Sequence, residues 1–246
     1  MPTPLPADDT SDRASDVLLQ RPWLAGFEVL TAAALVLCIT WKVWDPIPHG
    51  PWRTAASVSL YVLVVAVVAT SFLRVRDSVA QLGVSPRRWG QGWASIGLFT
   101  AAALGAIALA ALLLEAAQVR HPGTDWMLAY VPAALAQQVL LQGFLNNRLY
   151  AFGHRMRPQS RLRLAVGGST LVFILLHAPN PALMAFVAVS GLFWTWHFRR
   201  HLNLPALTVS HVILGIAAMT LLGDHILLRL RIGLGAYNML TGTSPM

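Results

Sequence analysis

Long apolar stretches separated by short basic or proline-bearing segments run through this chain. Their lengths and bounding signals predict helices over 24–44, 55–73, 94–117, 126–147, 165–178, 182–198 and 203–222. An eighth, over 225–241, is interrupted by Arg229 and Arg231. The fifth is short, and Pro179 and Pro181 mark its end. A spanning helix needs about 20 apolar residues, so the pattern predicts an all-α, polytopic transmembrane helical bundle of seven or eight spans. Residues 23–246 form a single membrane domain in this reading. Residues 1–22 are a polar tail with Pro2, Pro4, Pro6 and four Asp, expected to be disordered and cytoplasmic. The tail lacks the apolar run and small-residue cleavage site of a signal peptide.

Composition agrees. Hydrophobic residues make up 56% of the chain, charged residues 11%, and the mean hydropathy is +0.58; a soluble domain carries about 25% charged residues. Trp23, Trp41, Trp44, Trp52, Trp89, Trp93, Trp126, Trp194 and Trp196 fall near predicted helix ends, as an interfacial belt would have them. With the N-terminus inside, 13 Arg fall in inside segments; only Lys42, Arg53 and Arg120 fall outside, and Arg229 and Arg231 stay unassigned. That asymmetry is a positive-inside signal, and it predicts an integral membrane protein, of a bacterial inner membrane by its Arg- and Ala-rich character, with a cytoplasmic N-terminus. The net charge of +8 is carried by these loops, where it sets orientation and meets anionic lipid heads, so a nucleic-acid partner is excluded. Cys38 is alone, which leaves no internal disulfide and no thiol metal cluster.

The chemistry lies in polar groups inside the apolar helices. Gln137, Gln138 and Gln142 sit on the fourth, with Gln138 and Gln142 on one face and Gln137 beside it. His177 ends the fifth, one turn from Phe173, and His211 lies on the seventh, one turn from Gly215. Amides and imidazoles are costly in hydrocarbon unless partnered, and they mark either a shared cavity or contacts between helices. Glu28 and Glu115 are further acids in predicted spans; Glu28 is expected to pair locally and Glu115 to snorkel outward. Gly97, Gly105, Gly191 and Gly215 are expected to be packing contacts.

Three segments, QQVLLQG at 137–143, FILLH at 173–177 and HVILG at 211–215, resemble in order the motifs of the CPBP intramembrane proteases, the CAAX-protease and bacteriocin-processing (Abi) family. Those motifs read Glu-Glu-x-x-x-Arg, Phe-x-x-x-His and His-x-x-x-Asn, and the likeness covers a core at about 126–222. The resemblance implies an intramembrane glutamate-type endopeptidase acting on a membrane-embedded or lipidated peptide or protein. Carried over by position, Gln137 stands at the proposed base, Gln138 at the second glutamate, and His177 and His211 at the two histidines. Gln142, Phe173 and Gly215 stand at substrate-binding or site-lining positions.

The departures decide the expected activity. Hydrolysis needs a proton acceptor, which a buried carboxylate supplies and an amide of similar volume does not. With both glutamates replaced by glutamine, this form is expected to be catalytically dead, whether the change is natural or engineered. The alternative is a non-catalytic pseudo-protease acting as a binding, immunity or assembly factor. No cofactor is expected. Zinc enters only for a form carrying the glutamates, because two imidazoles alone make a poor zinc site.

Overall fold

The structure, a computed structural model, describes residues 22–43, 50–75, 79–114, 123–222 and 226–242. The expected tail at 1–22 lies outside these but for Pro22, as do Trp44, Arg120 and Glu115. Among the described residues nine α-helices follow one another: α1 (Pro22–Thr40), α2 (Pro51–Val75), α3 (Trp93–Leu113), α4 (Thr124–Gln138), α5 (Asn147–Phe152), α6 (Pro158–Leu176), α7 (Pro181–His201), α8 (Leu204–Leu222) and α9 (Gly233–Thr241). A π-helical segment, Val139–Asn146, joins α4 to α5 without a break. No strand occurs among the described residues.

Among the described residues six helical stretches are long and apolar enough to cross a membrane: α1, α2, α3, the continuous α4–α5 rod, α7 and α8. The expected seven or eight spans are thus matched by six candidates among the described residues. The expected fifth helix, α6, begins seven residues earlier than the apolar run, at Pro158, and Arg161 and Arg163 in its first two turns lower its hydropathy. The expected eighth is a 3₁₀ turn at Leu228–Leu230 followed by the nine-residue α9, too short to span.

Burial is distributed as a bilayer solvent demands. Phe27, Leu30, Val65, Leu98, Leu112 and Leu128 face outward, while Gln138, Gln142, Asn146, Arg148 and Asn203 are wholly or almost wholly enclosed. Packing of α6 on α7, of α3 and α4 on α8, and of α1 on α2 and α5 brings the motif helices together. Gly191 lets α7 approach α6 closely, since a Cβ there would lie 3.0 Å from Phe173 Cδ1; Gly97 and Gly105 face open space and are not packing contacts.

Glu28 pairs between helices rather than locally. Ser71 Oγ donates to its Oε2 at 2.7 Å, and Arg74 Nη1 donates to its Oε1 at 2.8 Å. Arg148 Nε lies 2.8 Å from Ser71 Oγ and 3.3 Å from Glu28 Oε2. One buried carboxylate therefore ties α1 to α2 and α5 and compensates a buried guanidinium. At the far end of α6, the turn into α7 carries Asn180, whose Oδ1 caps α7 at Leu183 N (3.1 Å). Its Nδ2 donates to the Leu227 and Arg231 carbonyls at 2.8 and 3.1 Å. That side chain pins residues 227–231 across the end of the bundle.

Candidate active site

His177 is the C-cap of α6, where Pro179 forbids the helix to continue. Its Nδ1 lies 2.7 Å from the Phe173 carbonyl oxygen. A carbonyl can only accept, so Nδ1 carries the proton and Nε2 keeps a lone pair. His211 stands in the middle of α8 with Nδ1 3.1 Å from Gln138 Nε2. There the amide donates, so His211 Nδ1 is the acceptor and Nε2 carries the proton. The two imidazoles are thus held as opposite tautomers, one offering a lone pair and the other an N–H.

Phe173 contacts both. Its ring is edge-on to both, with centroids 4.6 Å from His177 and 6.3 Å from His211. The Trp194 ring also packs on His211, with centroids 4.8 Å apart. Gln137, His177, His211 and Gly215, together with Tyr130 and Trp194, line one cavity of about 90 Å³, enough for several waters. Leu183, Phe186 and Val187 of α7, Leu230 of the pinned segment and Ile232 just after it make its apolar wall.

The sequence-predicted residues separate into three positions. Gln137, His177, His211 and Gly215 line the cavity. Gln138 is fully buried beside it and reaches it through His211, and Phe173 is buried in ring contact with both histidines without lining the cavity. Gln142 does not line it. Its Nε2 faces Gln138 Oε1 at 3.4 Å, and its Oε1 faces Asn146 Nδ2 at 3.4 Å, so it backs Gln138 in a buried ladder of amides. The ladder descends the π-helical segment, which begins directly after Gln138; such segments recur at functional sites.

Besides the apolar wall, Tyr130 and Trp194 line the cavity and were not expected there. Tyr130 stands seven residues before Gln137, on the same helix face two turns away, and that spacing is the signal that could have found it. Its ring stacks on Trp126 at 4.9 Å, and its hydroxyl makes no hydrogen bond to a described residue. A Cβ at Gly215 would overlap that hydroxyl, so the motif position lacking a side chain is filled by a phenol from α4. Trp194, expected in an interfacial belt, is 1% exposed and donates from Nε1 to Ser210 Oγ at 3.2 Å. It is a wall of the site and not a belt residue.

As a metal site the donor set is a poor fit. Among the described residues no three His, Cys, Asp or Glu side chains come together. The motif supplies two imidazoles, with one nitrogen of each already hydrogen-bonded, and no carboxylate.

Residues 119–217 match the family model described as type II CAAX prenyl endopeptidase Rce1-like. The matched stretch contains all three motifs and every lining residue except the apolar Ala218, Leu230 and Ile232. No curated protein and no solved structure matches the chain.

Proposed function

From a stretch that lies within the CPBP/CAAX protease family, we propose an intramembrane endopeptidase site that grips a membrane-anchored peptide between His177 and His211 but, as this sequence stands, does not cut it. The observation carrying the proposal is the hydrogen bond between Gln138 and His211 Nδ1.

Peptide hydrolysis asks for a group that takes a proton from water and a donor for the carbonyl oxygen that turns anionic. Gln137, at the cavity wall, can hold a water but cannot take its proton. A carboxylate at position 138 would accept a hydrogen bond from His211 Nδ1–H, holding the proton on Nδ1 and leaving the Nε2 lone pair free to act as a base. The Gln138 amide does the reverse and leaves Nε2 as a donor. In a serine-protease triad, the equivalent acid-to-amide change fixes the wrong imidazole tautomer and costs about 10⁴ in kcat. The two glutamines therefore remove two different functions: Gln137 lacks the base, and Gln138 sets His211 the wrong way round.

What remains suits binding. His211 Nε2–H and the unbonded Tyr130 hydroxyl offer donors to a peptide carbonyl, and His177 Nε2 orients a water. The apolar wall from α7 and the pinned segment accepts aliphatic side chains or a lipid group, in keeping with the family description. The orientation with the N-terminus inside, supported by 13 basic residues against three, belongs to the same proposal.

The test is cleavage of a membrane-tail library that includes a farnesylated peptide ending in a CAAX sequence. The chain as written is compared with Gln137→Glu, Gln138→Glu and the double variant. Cleavage only when the acids are present supports the proposal; equal cleavage by all four refutes it.

A further inference from the structure

Three helix ends meet at Tyr150: α5, which carries it, the first turn of α6 and the last turn of α7. The Arg161 guanidinium carbon lies 3.6 Å from the ring centroid, and that of Arg199 lies 4.6 Å from it. Two cations thus share one ring and can stand no further apart than the sum of those distances, about 8 Å. Both are held there. Arg161 Nε donates to the Tyr150 carbonyl at 2.7 Å, and Arg199 Nη2 donates to Asn147 Oδ1 at 2.6 Å. Asn147 is itself fixed, its Nδ2 donating to the Gln81 and Gly143 carbonyls at 3.0 and 2.9 Å.

The charges do not balance. Among the described residues neither guanidinium meets a carboxylate, and Glu28, the buried acid on the neighbouring α1, is taken by Arg74 and Arg148. Arg199 Nε is buried without any hydrogen bond. A ring face offsets part of the repulsion between confined like charges but supplies no acceptor for the remaining N–H groups. Arg161 also sits in the first turn of the 19-residue α6, where a cation opposes the helix dipole and an anion is favoured.

We propose that Arg161 and Arg199 form a binding site for a phosphate-type anion, its oxygens bridging the two guanidinia beside the N-terminus of α6. The guanidinium fork matches a phosphate oxygen pair, and a bound anion satisfies Arg199 Nε and neutralises the cation pair together. The chemistry is shared by a free phosphate and by the head group of an anionic phospholipid. Phe152, Met156 and Leu162, within six residues of Tyr150 or Arg161 in sequence, are exposed, as acyl chains beside a head group would require. This site is separate from the His177–His211 cavity, and its test does not depend on proteolysis.

The full chain is purified from phosphatidylcholine vesicles with or without phosphatidylglycerol. Native mass spectrometry then counts retained anionic lipid, and thermal unfolding in detergent is followed against added inorganic phosphate. The expected result is one retained phosphatidylglycerol per chain and a raised unfolding midpoint, both lost in Arg161→Gln and Arg199→Gln but kept in Arg163→Gln, an exposed cation on the same helix. Affinity should fall about tenfold or more, as loss of a charge-assisted hydrogen bond does. Stabilisation by inorganic phosphate alone, with no retained lipid, supports the site and names the free anion as its ligand. Arg161, at the partly exposed helix start, keeps the test open if Arg199→Gln does not fold. Equal losses in Arg163→Gln, or no effect of either anion on the unchanged chain, overturn the proposal.

Discussion

The Tyr130 hydroxyl occupies the space that a side chain at Gly215 would need. The family motif that this segment resembles ends in asparagine, whereas glycine stands here, and a phenol from another helix fills the space. The pair makes a steric prediction independent of catalysis. Gly215→Asn should lower stability by about 1–3 kcal/mol or more, as overpacking does. Tyr130→Ala combined with Gly215→Asn should recover most of that loss. Thermal unfolding of the two singles and the double closes the cycle; a Gly215→Asn single as stable as the unchanged chain would show the overlap to be unreal.

The two histidine tautomers yield a spectroscopic prediction. Nitrogen-15 NMR of histidine-labelled protein should show His211 protonated at Nε2 and His177 at Nδ1. Gln138→Glu should move the His211 proton to Nδ1 and leave His177 unchanged, since only His211 meets residue 138.

Glu28 is a structural acid. Glu28→Ala should cost about 3–5 kcal/mol, because it strands the buried Arg148 without its carboxylate. In a background carrying Gln137→Glu and Gln138→Glu, any Glu28→Gln protein that folds should still cut. Loss of cleavage with the fold intact would make Glu28 part of the chemistry.

How much of this was legible in sequence depended on contrast. Amides and imidazoles in apolar helices stand out, so Gln137, His177 and His211, three of the residues lining the cavity, could be named beforehand. Aromatic residues do not stand out in a Trp-rich membrane chain: Trp194 read as a belt residue, and Tyr130 was not singled out. Arg161 and Arg163 disguised the first turns of α6 as loop. Helix packing alone revealed that Glu28 meets Arg148, and nothing in the local pattern announced the π-helical turn behind Gln138.

Orientation is tested by thiol labelling in a Cys38→Ser background. Arg157→Cys should resist a membrane-impermeant reagent in intact cells and react after lysis, whereas Arg53→Cys should react in both. Labelling of position 157 without lysis would invert the topology.

The central claim is that the fold is a peptidase silenced at two amides, and cleavage measures it most directly. Restoring both acids, Gln137→Glu with Gln138→Glu, should raise turnover of a co-expressed membrane-tail substrate by about 10²-fold or more, the low end of general-base catalysis. Either single change should fall short of the double. His177→Ala or His211→Ala in the restored protein should abolish cleavage, and any residual turnover of the unchanged chain should vanish with His177→Ala. A double variant that folds and binds a substrate the unchanged chain also binds, yet cuts nothing, would contradict the account and leave a binding protein in a protease fold.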